Sequence, residues 1–366
     1  MRGEAGLHVL ALTTALGFGT FSSLLSLYLD ALGMSGLHIG LMNSASMAVA
    51  ALASWAAGSL SASRGYPRVM AAALALPAVL SVLSPAAMRV EAAVLLVLAV
   101  GAADGAFRTS SAGLLSEVSR RVGPSFGAFY TLRVLGMTAS GALAGLLAEA
   151  GYEYMVLASC LFYAVSVPLA LSLPGRAPEG GGRPPRSVRL LALALFLHTM
   201  GFAATRPFIP LYPAKVLGMR ESQVGALVSV RSLGVLSSQA AAGYAVSLLG
   251  PGAVLTAHVA LSSLAWGAYP LARDFLSASG LFFAAGVVAA LDMPARRALV
   301  AQMTEPGGER ARGMGEVDLV TGMASAIGFL LGGIFWDSMG PEWAFWAPAL
   351  INLAAAPLVL LASRTR

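Results

Sequence analysis

Ten ionisable or imidazole side chains lie in stretches that are otherwise almost wholly apolar. They are Arg108, Arg133, Arg206 and Arg231, the carboxylates Asp104 and Asp292, Glu316 and Asp318 nearer a helix end, and His198 and His258. A charge at the centre of a helix in hydrocarbon costs about 2.5–3.5 kcal/mol on insertion scales, so it is seldom left there without a partner or a task. A guanidinium presents a planar fork of donors to a carboxylate or phosphate. A desolvated carboxylate or an imidazole takes up and releases a proton. The chemistry these types allow is the holding of an ionic solute, the breaking and remaking of ion pairs, and the carriage of a proton.

The elements that position them are long apolar helices. Hydrophobic residues make up 57% of the chain and charged ones 11%, with a mean hydropathy of +0.77. That leaves too few polar residues to cover a water-facing surface. Runs long enough to cross about 30 Å of hydrocarbon fall at 7–29, 38–60, 68–87, 92–113, 125–148 and 153–173. Six more fall at 190–213, 222–247, 251–271, 276–299, 313–336 and 343–362. Turn chemistry separates them at Gly33-Met34-Ser35-Gly36, Gly65-Tyr66-Pro67, Gly123-Pro124, Gly250-Pro251-Gly252 and Gly340-Pro341. The fold expected is all-α and membrane-integral, with twelve transmembrane helices in two pseudo-symmetric six-helix bundles, 1–173 and 190–366. A Pro-, Gly- and Arg-rich linker, 174–189, joins them.

The two bundles repeat one another. Ile39-Gly40, Ser44, Gly58 and Gly65 recur as Val224-Gly225, Ser229, Gly243 and Gly250, an offset of 185 (40 + 185 = 225). Asp104, Arg108 and Glu117 recur as Asp292, Arg296 and Glu305, an offset of 188 (104 + 188 = 292), followed by Gly127 with Gly315 and Gly145 with Gly333. Matches among Ala and Leu are cheap in such an alphabet, whereas charges inside apolar segments are rare, so their recurrence marks a duplication. With both termini cytoplasmic, fifteen arginines fall on inner loops and tails against Arg89, Lys215, Arg220 and Arg273 outside. This is the positive-inside asymmetry of a multi-pass plasma-membrane protein.

In span number, duplication, central linker and the segment GSLSASRGYPR from Gly58 to Arg68, the chain resembles the major facilitator superfamily of secondary transporters. That segment is similar to the family's loop between the second and third helices, matching at Gly58, Leu60, Gly65 and Arg68, with Ala62 and Ser63 where the family carries Asp and Arg. The resemblance implies a carrier that moves a small solute by alternating access, in one of three forms. The first is a transporter of an organic anion or amphipathic metabolite, with protons as a coupling ion. The others are an efflux carrier for lipophilic compounds and a non-transporting sensor or scaffold.

Within that frame the charged residues take roles. At 1.5 Å of rise per residue, Arg231 lies roughly 14 Å into its span and His198 roughly 12 Å, both near the midplane where carrier sites lie. Arg231 and Arg133 are read as substrate contacts, with interhelical ion pairs as the alternative. His198, Arg206 and the tyrosines Tyr28 and Tyr212 join them as candidates. Pro207, Pro210 and Pro213 after Arg206 bend the seventh span into an outer gate, or Arg206 is an interfacial arginine snorkelling to headgroups, while the tyrosines close over substrate or mark an interfacial belt. Asp104 with Arg108 and Asp292 with Arg296 share helix faces at i,i+4. They are read as gating or proton-coupling groups, with Arg133 reaching Asp292 and Arg108 reaching Glu316 or Asp318, or as static salt bridges. His258 is read as a hydrogen-bonded structural histidine.

Other classes find little support. No H-E-x-x-H or G-x-S-x-G motif and no cysteine cluster occurs, Cys160 standing alone, so neither an enzyme nor a metal or cofactor is expected. The net charge of +6 comes without a basic helix or aromatic-interleaved patch, so no nucleic-acid partner is expected. The bilayer and a small molecule are the partners foreseen for a monomer.

Overall fold

The computed structural model describes residues 2–118, 122–174, 186–304 and 308–364. Over these the chain is helical, with no strand. The helices are α1 Arg2–Ser22, α2 Leu25–Ala31, α3 Gly36–Arg64, α4 Tyr66–Val79, α5 Val90–Val118, α6 Val122–Ala150, α7 Tyr152–Leu171 and α8 Arg186–Thr205. They continue as α9 Phe208–Lys215, α10 Glu221–Leu249, α11 Pro251–Gly267, α12 Phe275–Ala289, α13 Asp292–Gln302, α14 Gly308–Met339 and α15 Trp343–Arg364. Glu305, the counterpart of Glu117, and linker residues 175–185 lie outside the described residues.

Eleven helical runs among the described residues are long and apolar enough to cross a membrane. The twelfth expected span is α11, whose 17 residues rise about 26 Å, the low end of what a bilayer needs. Outward-facing side chains such as Leu52, Trp55, Val82 and Leu276, each at least 67% exposed, give the protein an apolar coat. The chain is a multi-pass membrane protein.

Three expected spans are each split into a longer and a shorter helix. The seventh breaks at Arg206–Pro207, where Pro207 supplies no N–H and its ring clashes with the preceding turn. The first breaks at Ser23–Leu24 without any proline. The tenth, expected as one span, also breaks, at Ala290–Leu291 before Asp292, four and three residues ahead of Pro294. Positive φ explains why several glycines recur. Gly65 and Gly250 both sit at φ 80° as the residue before α4 and α11, a conformation that side chains other than glycine adopt at a steric cost.

Contacts gather the chain into two compact units. The first comprises Met1–Gly33, Ala45–Pro178 and Met219–Ser229; the second comprises Met34–Ser44, Glu179–Gly218 and Val230–Arg366. In the first, α1 packs on α6 and α7, and α4 on α5 and α7; in the second, α8 packs on α14 and α15, and α11 on α12, α13 and α15. The internal arrangements correspond, as a duplication requires. The core of the second is aliphatic, with Leu191 and Leu195 of α8 against Leu255 and Val259 of α11, Leu299 of α13 and Val359 of α15.

Small residues set how closely helices approach, because in lipid association rests on packing and hydrogen bonds rather than on escape from water. In the first unit, Ser229 Oγ donates to the Thr138 carbonyl at 2.6 Å and accepts from the Ala142 N–H at 2.8 Å. A Cβ on Gly225 would stand 2.4 Å from the Gly141 oxygen. In the second unit, Ser44 Oγ donates to the Ala326 carbonyl at 2.6 Å, and a Cβ on Gly40 would stand 2.4 Å from the Phe329 oxygen. The Asp337 carboxylate accepts from the N–H groups of Gly36 and Leu37 at 2.9 and 2.8 Å, at the start of α3. Gly40 with Ser44, and Gly225 with Ser229, are the residues that recur at the 185 offset, so the repeat retains a close-crossing pair in each copy.

The crossing of α3 and α5 is tight as well: a Cβ on Gly105 would meet the Ala50 oxygen at 2.1 Å. Gly105→Val is therefore expected to lower stability by about 1–3 kcal/mol through overpacking, read as a fall in the thermal unfolding midpoint of detergent-solubilised protein. Gly280→Val, where an added Cβ meets nothing within 4 Å, is expected to leave that midpoint unchanged.

Candidate functional site

Each unit holds its own set of buried charges. In the first, α5 carries Asp104, Phe107 and Arg108, and α6 carries Arg133. Arg133 Nη2 reaches Asp104 Oδ1 at 3.2 Å, with side-chain exposures of 15% and 14%, and its guanidinium lies over the Phe107 ring at 5.4 Å. Arg108 Nε approaches the other oxygen of Asp104 at 3.3 Å from a half-exposed position. The carboxylate is shared between two arginines. Tyr163 of α7 is fully buried, and its hydroxyl has no hydrogen-bond partner among the described residues.

In the second unit, Arg231 of α10 has its guanidinium over the Trp266 ring of α11 at 5.9 Å. Its Nε is buried with no hydrogen-bond partner among the described residues. Trp266 is fixed by edge-on contacts with Tyr269 and Phe282. The backbone beneath Arg231 is fixed too, since Gly286 of α12 passes so close that a Cβ there would lie 2.0 Å from the Arg231 oxygen. Arg206 lies over Phe329 at 5.9 Å, and its like charge acts on Arg231. Arg231 is thus a desolvated cation resting on an aromatic face and repelled by a second guanidinium, an environment that a bound anion would relieve.

The same unit contains a buried polar knot. His198 of α8 hydrogen-bonds through Nδ1 to Oδ1 of Asn352 on α15, and its ring stands edge-on to that of His258 on α11 at 5.2 Å. His258 Nδ1 donates to the Val288 carbonyl at 2.9 Å. Asp292, at the first position of α13, is gripped by Arg296 at 3.0 and 2.8 Å.

Within its own unit Arg133 pairs with Asp104, and Asp292 with Arg296. Within the second unit Glu316 pairs with Arg189 at 3.2 Å and Asp318 with Arg297 at 3.0 Å. Tyr28 and Tyr212 do not form an interfacial belt, being 0% and 2% exposed. Tyr28 donates to the Ala87 carbonyl and packs on Phe21 and Tyr152, while Tyr212 donates to the Pro270 carbonyl at 3.3 Å and packs on Tyr269 and Phe345. Their hydroxyls are spent on main-chain oxygens. Asn352, Trp266 and Phe107 had escaped notice. Asn352 carried a usable signal, being one of two asparagines in the chain and alone in an apolar span; the aromatic rings carried none, because only folding lays a guanidinium on them.

Two units of corresponding internal packing, with arginines paired to aspartates inside an apolar coat, define a polytopic α-helical membrane protein. Residues 191–366 match the family model of the Major Facilitator Superfamily. The chain is similar in structure to the human organic anion transporter MFSD10 (TETRAN), at 19% identity and TM-score 0.74 over 97% of this chain and 99% of that one. It is also similar to the nucleoside transporter NupG, at 15% identity and TM-score 0.75 over 100% of both chains. A bacterial homologue of the human lysosomal transporter Spinster, in an inward-facing and occupied conformation, matches at 14% identity and TM-score 0.76 over 99% and 96%. Identities this low establish a shared fold. No curated protein sequence matches the chain. Over residues 191–366 the chain thus resembles the Major Facilitator Superfamily, and over its whole length it shares the fold of these transporters.

Removing Asp104 leaves Arg133 as an uncompensated buried charge. Asp104→Asn is expected to cost about 3 kcal/mol, read by thermal or denaturant unfolding in detergent, and Arg133→Gln added to it is expected to restore part of that loss. Arg108→Ala is expected to cost roughly 0–1 kcal/mol, since its side chain is 55% exposed and solvent screens its contact.

Proposed function

We propose that the chain is a secondary carrier of a small organic anion, one bearing a carboxylate or phosphate, in the plasma membrane with both termini cytoplasmic. Arg231 is the group that binds the anion. The observation that supports this reading is the state of Arg231: a guanidinium stacked on Trp266 with a buried Nε lacking a partner among the described residues, and with Arg206 adding like charge. Among the described residues no carboxylate forms an ion pair with Arg231, which therefore offers donors and positive potential. Arg133 differs, because its charge is already met by Asp104.

The aspartates also argue against a lipophilic cation as cargo. Asp104 is shared by two arginines and Asp292 is held on both oxygens by one, so neither offers free negative charge. In fold the chain is similar to a human organic anion transporter, which accords with an anionic substrate.

Counterflow in proteoliposomes, screened across mono- and dicarboxylates and phosphate esters, tests the proposal. Exchange of an anion by the wild type is expected, with Arg231→Ala losing about 10–100-fold in apparent affinity, the worth of a charge-assisted hydrogen bond. Arg231→Lys is expected to recover only part, because an ammonium lacks the planar fork. Unchanged exchange in Arg231→Ala removes this residue from the site, and ligand binding without exchange identifies a sensor instead.

A further inference from the structure

The knot formed by His198, His258 and Asn352 has a definite proton inventory. The Val288 oxygen can only accept, so His258 Nδ1, 2.9 Å away, carries a proton and its Nε2 is bare when the ring is neutral. The Asn352 amide donates from Nδ2 to the Val259 carbonyl at 3.4 Å. Turning the amide over would set two oxygens against each other, so Oδ1 faces His198. His198 Nδ1 therefore donates to it and His198 Nε2 is bare as well. His258 Nε2 has only the Ser262 hydroxyl near it, at 3.5 Å, and His198 Nε2 makes no hydrogen bond among the described residues. Two imidazole bases, 3% and 6% exposed, thus stand with ring centroids 5.2 Å apart, His258 Nε2 met only by the long contact with Ser262.

We propose that His198 and His258 form a one-proton site. Either bare Nε2 accepts the proton, and the resulting imidazolium keeps the second ring neutral, because two positive rings 5.2 Å apart in a buried setting repel strongly. The charged groups facing the pair are Asp292 and Arg296 on α13 and Arg231 on α10. Helix α15 contributes the neutral Asn352, and the acids of α14, Glu316 and Asp318, are paired with Arg189 and Arg297. Asp292 is the one carboxylate acting on both rings. A proton on the pair therefore places a second cation beside Asp292 and weakens the grip of Arg296 upon it. Asp292 opens α13 directly after the break at Ala290–Leu291, so the loosened pair acts on a joint in the helix. Two imidazoles without a third converging ligand suit a proton better than a metal ion: no group of three His, Cys, Asp or Glu able to hold one occurs among the described residues.

As a coupling site this rests on the reading of the chain as a carrier, but proton binding is measurable without transport. The chain has four histidines, and His8 and His38 can be replaced by Gln to leave the pair alone. Nitrogen-15 histidine spectra of that protein in nanodiscs are expected to show both rings as Nδ1–H tautomers at pH 8. Uptake of one proton, not two, is expected on acidification from pH 8, and His258→Gln is expected to move the titration of His198. In proteoliposomes, the ratio of uptake driven by an imposed pH gradient to counterflow is expected to fall about tenfold in His258→Gln. Nε2–H tautomers, rings that do not titrate, two independent titrations, or a gradient response that survives His258→Gln would each overturn the proposal. A wild type that exchanges no anion defeats the carrier reading instead, and the spectra still decide the proton site.

Discussion

A charge placed in hydrocarbon has to be neutralised by something the protein carries with it, and this requirement organises both units. Asp104 is enclosed by Arg133 and Arg108, and Asp292 is held by Arg296. Each neutralisation fixes a helix. The bond between Asp104 and Arg133 ties α5 to α6, whereas the contact of Arg296 with Asp292 closes on the first turn of α13 and leaves α12 free of it. The duplicated Asp-x-x-x-Arg thus performs two different jobs. In one copy a third residue turns it into a tie between helices; in the other it closes within the first turn of α13, and its carboxylate acts on two histidines.

Close backbone approach is the second constraint, and it decides where Arg231 stands. Gly286 lies against the carbonyl of Arg231, and Gly234 lies where a Cβ would meet the Phe283 oxygen at 2.4 Å, so α10 and α12 touch main chain to main chain at this level. A guanidinium on a backbone held in that way has little freedom to seek a distant carboxylate. It settles on Trp266, itself held by Tyr269 and Phe282. Packing of small residues and aromatic rings therefore maintains an electrostatic state that side-chain flexibility would otherwise dissipate.

Much of the architecture was legible because the signals involved are local and obligatory. Apolar runs of membrane-crossing length, turn glycines and the recurring charges placed the spans to within a few residues, with α11 the short one. The recurrence of Gly65 at Gly250 was readable because left-handed backbone leaves little choice of residue. Gly33 and Gly218 hold the same relation at φ 80° and 66°, though nothing in their neighbours announced it. The break in the first span went unseen because no proline marks it. The break before Asp292 had a signal in Pro294, overlooked inside an otherwise continuous apolar run.

Which residues would be charged, which would repeat, and that all of them would lie in lipid followed from the chain itself, because hydrocarbon thickness and desolvation act on composition and spacing alone. Which charge meets which could not follow. Arg133 might have reached any carboxylate at its depth, and three-dimensional packing assigned it Asp104. Arg231 and Arg133 looked equivalent as isolated cations, yet the fold gave one a partner and left the Nε of the other bare on a tryptophan. Pairing depends on rotation about the helix axis and on the approach of neighbouring helices. Both arise from contacts between residues far apart in sequence, which periodicity within a single helix does not encode.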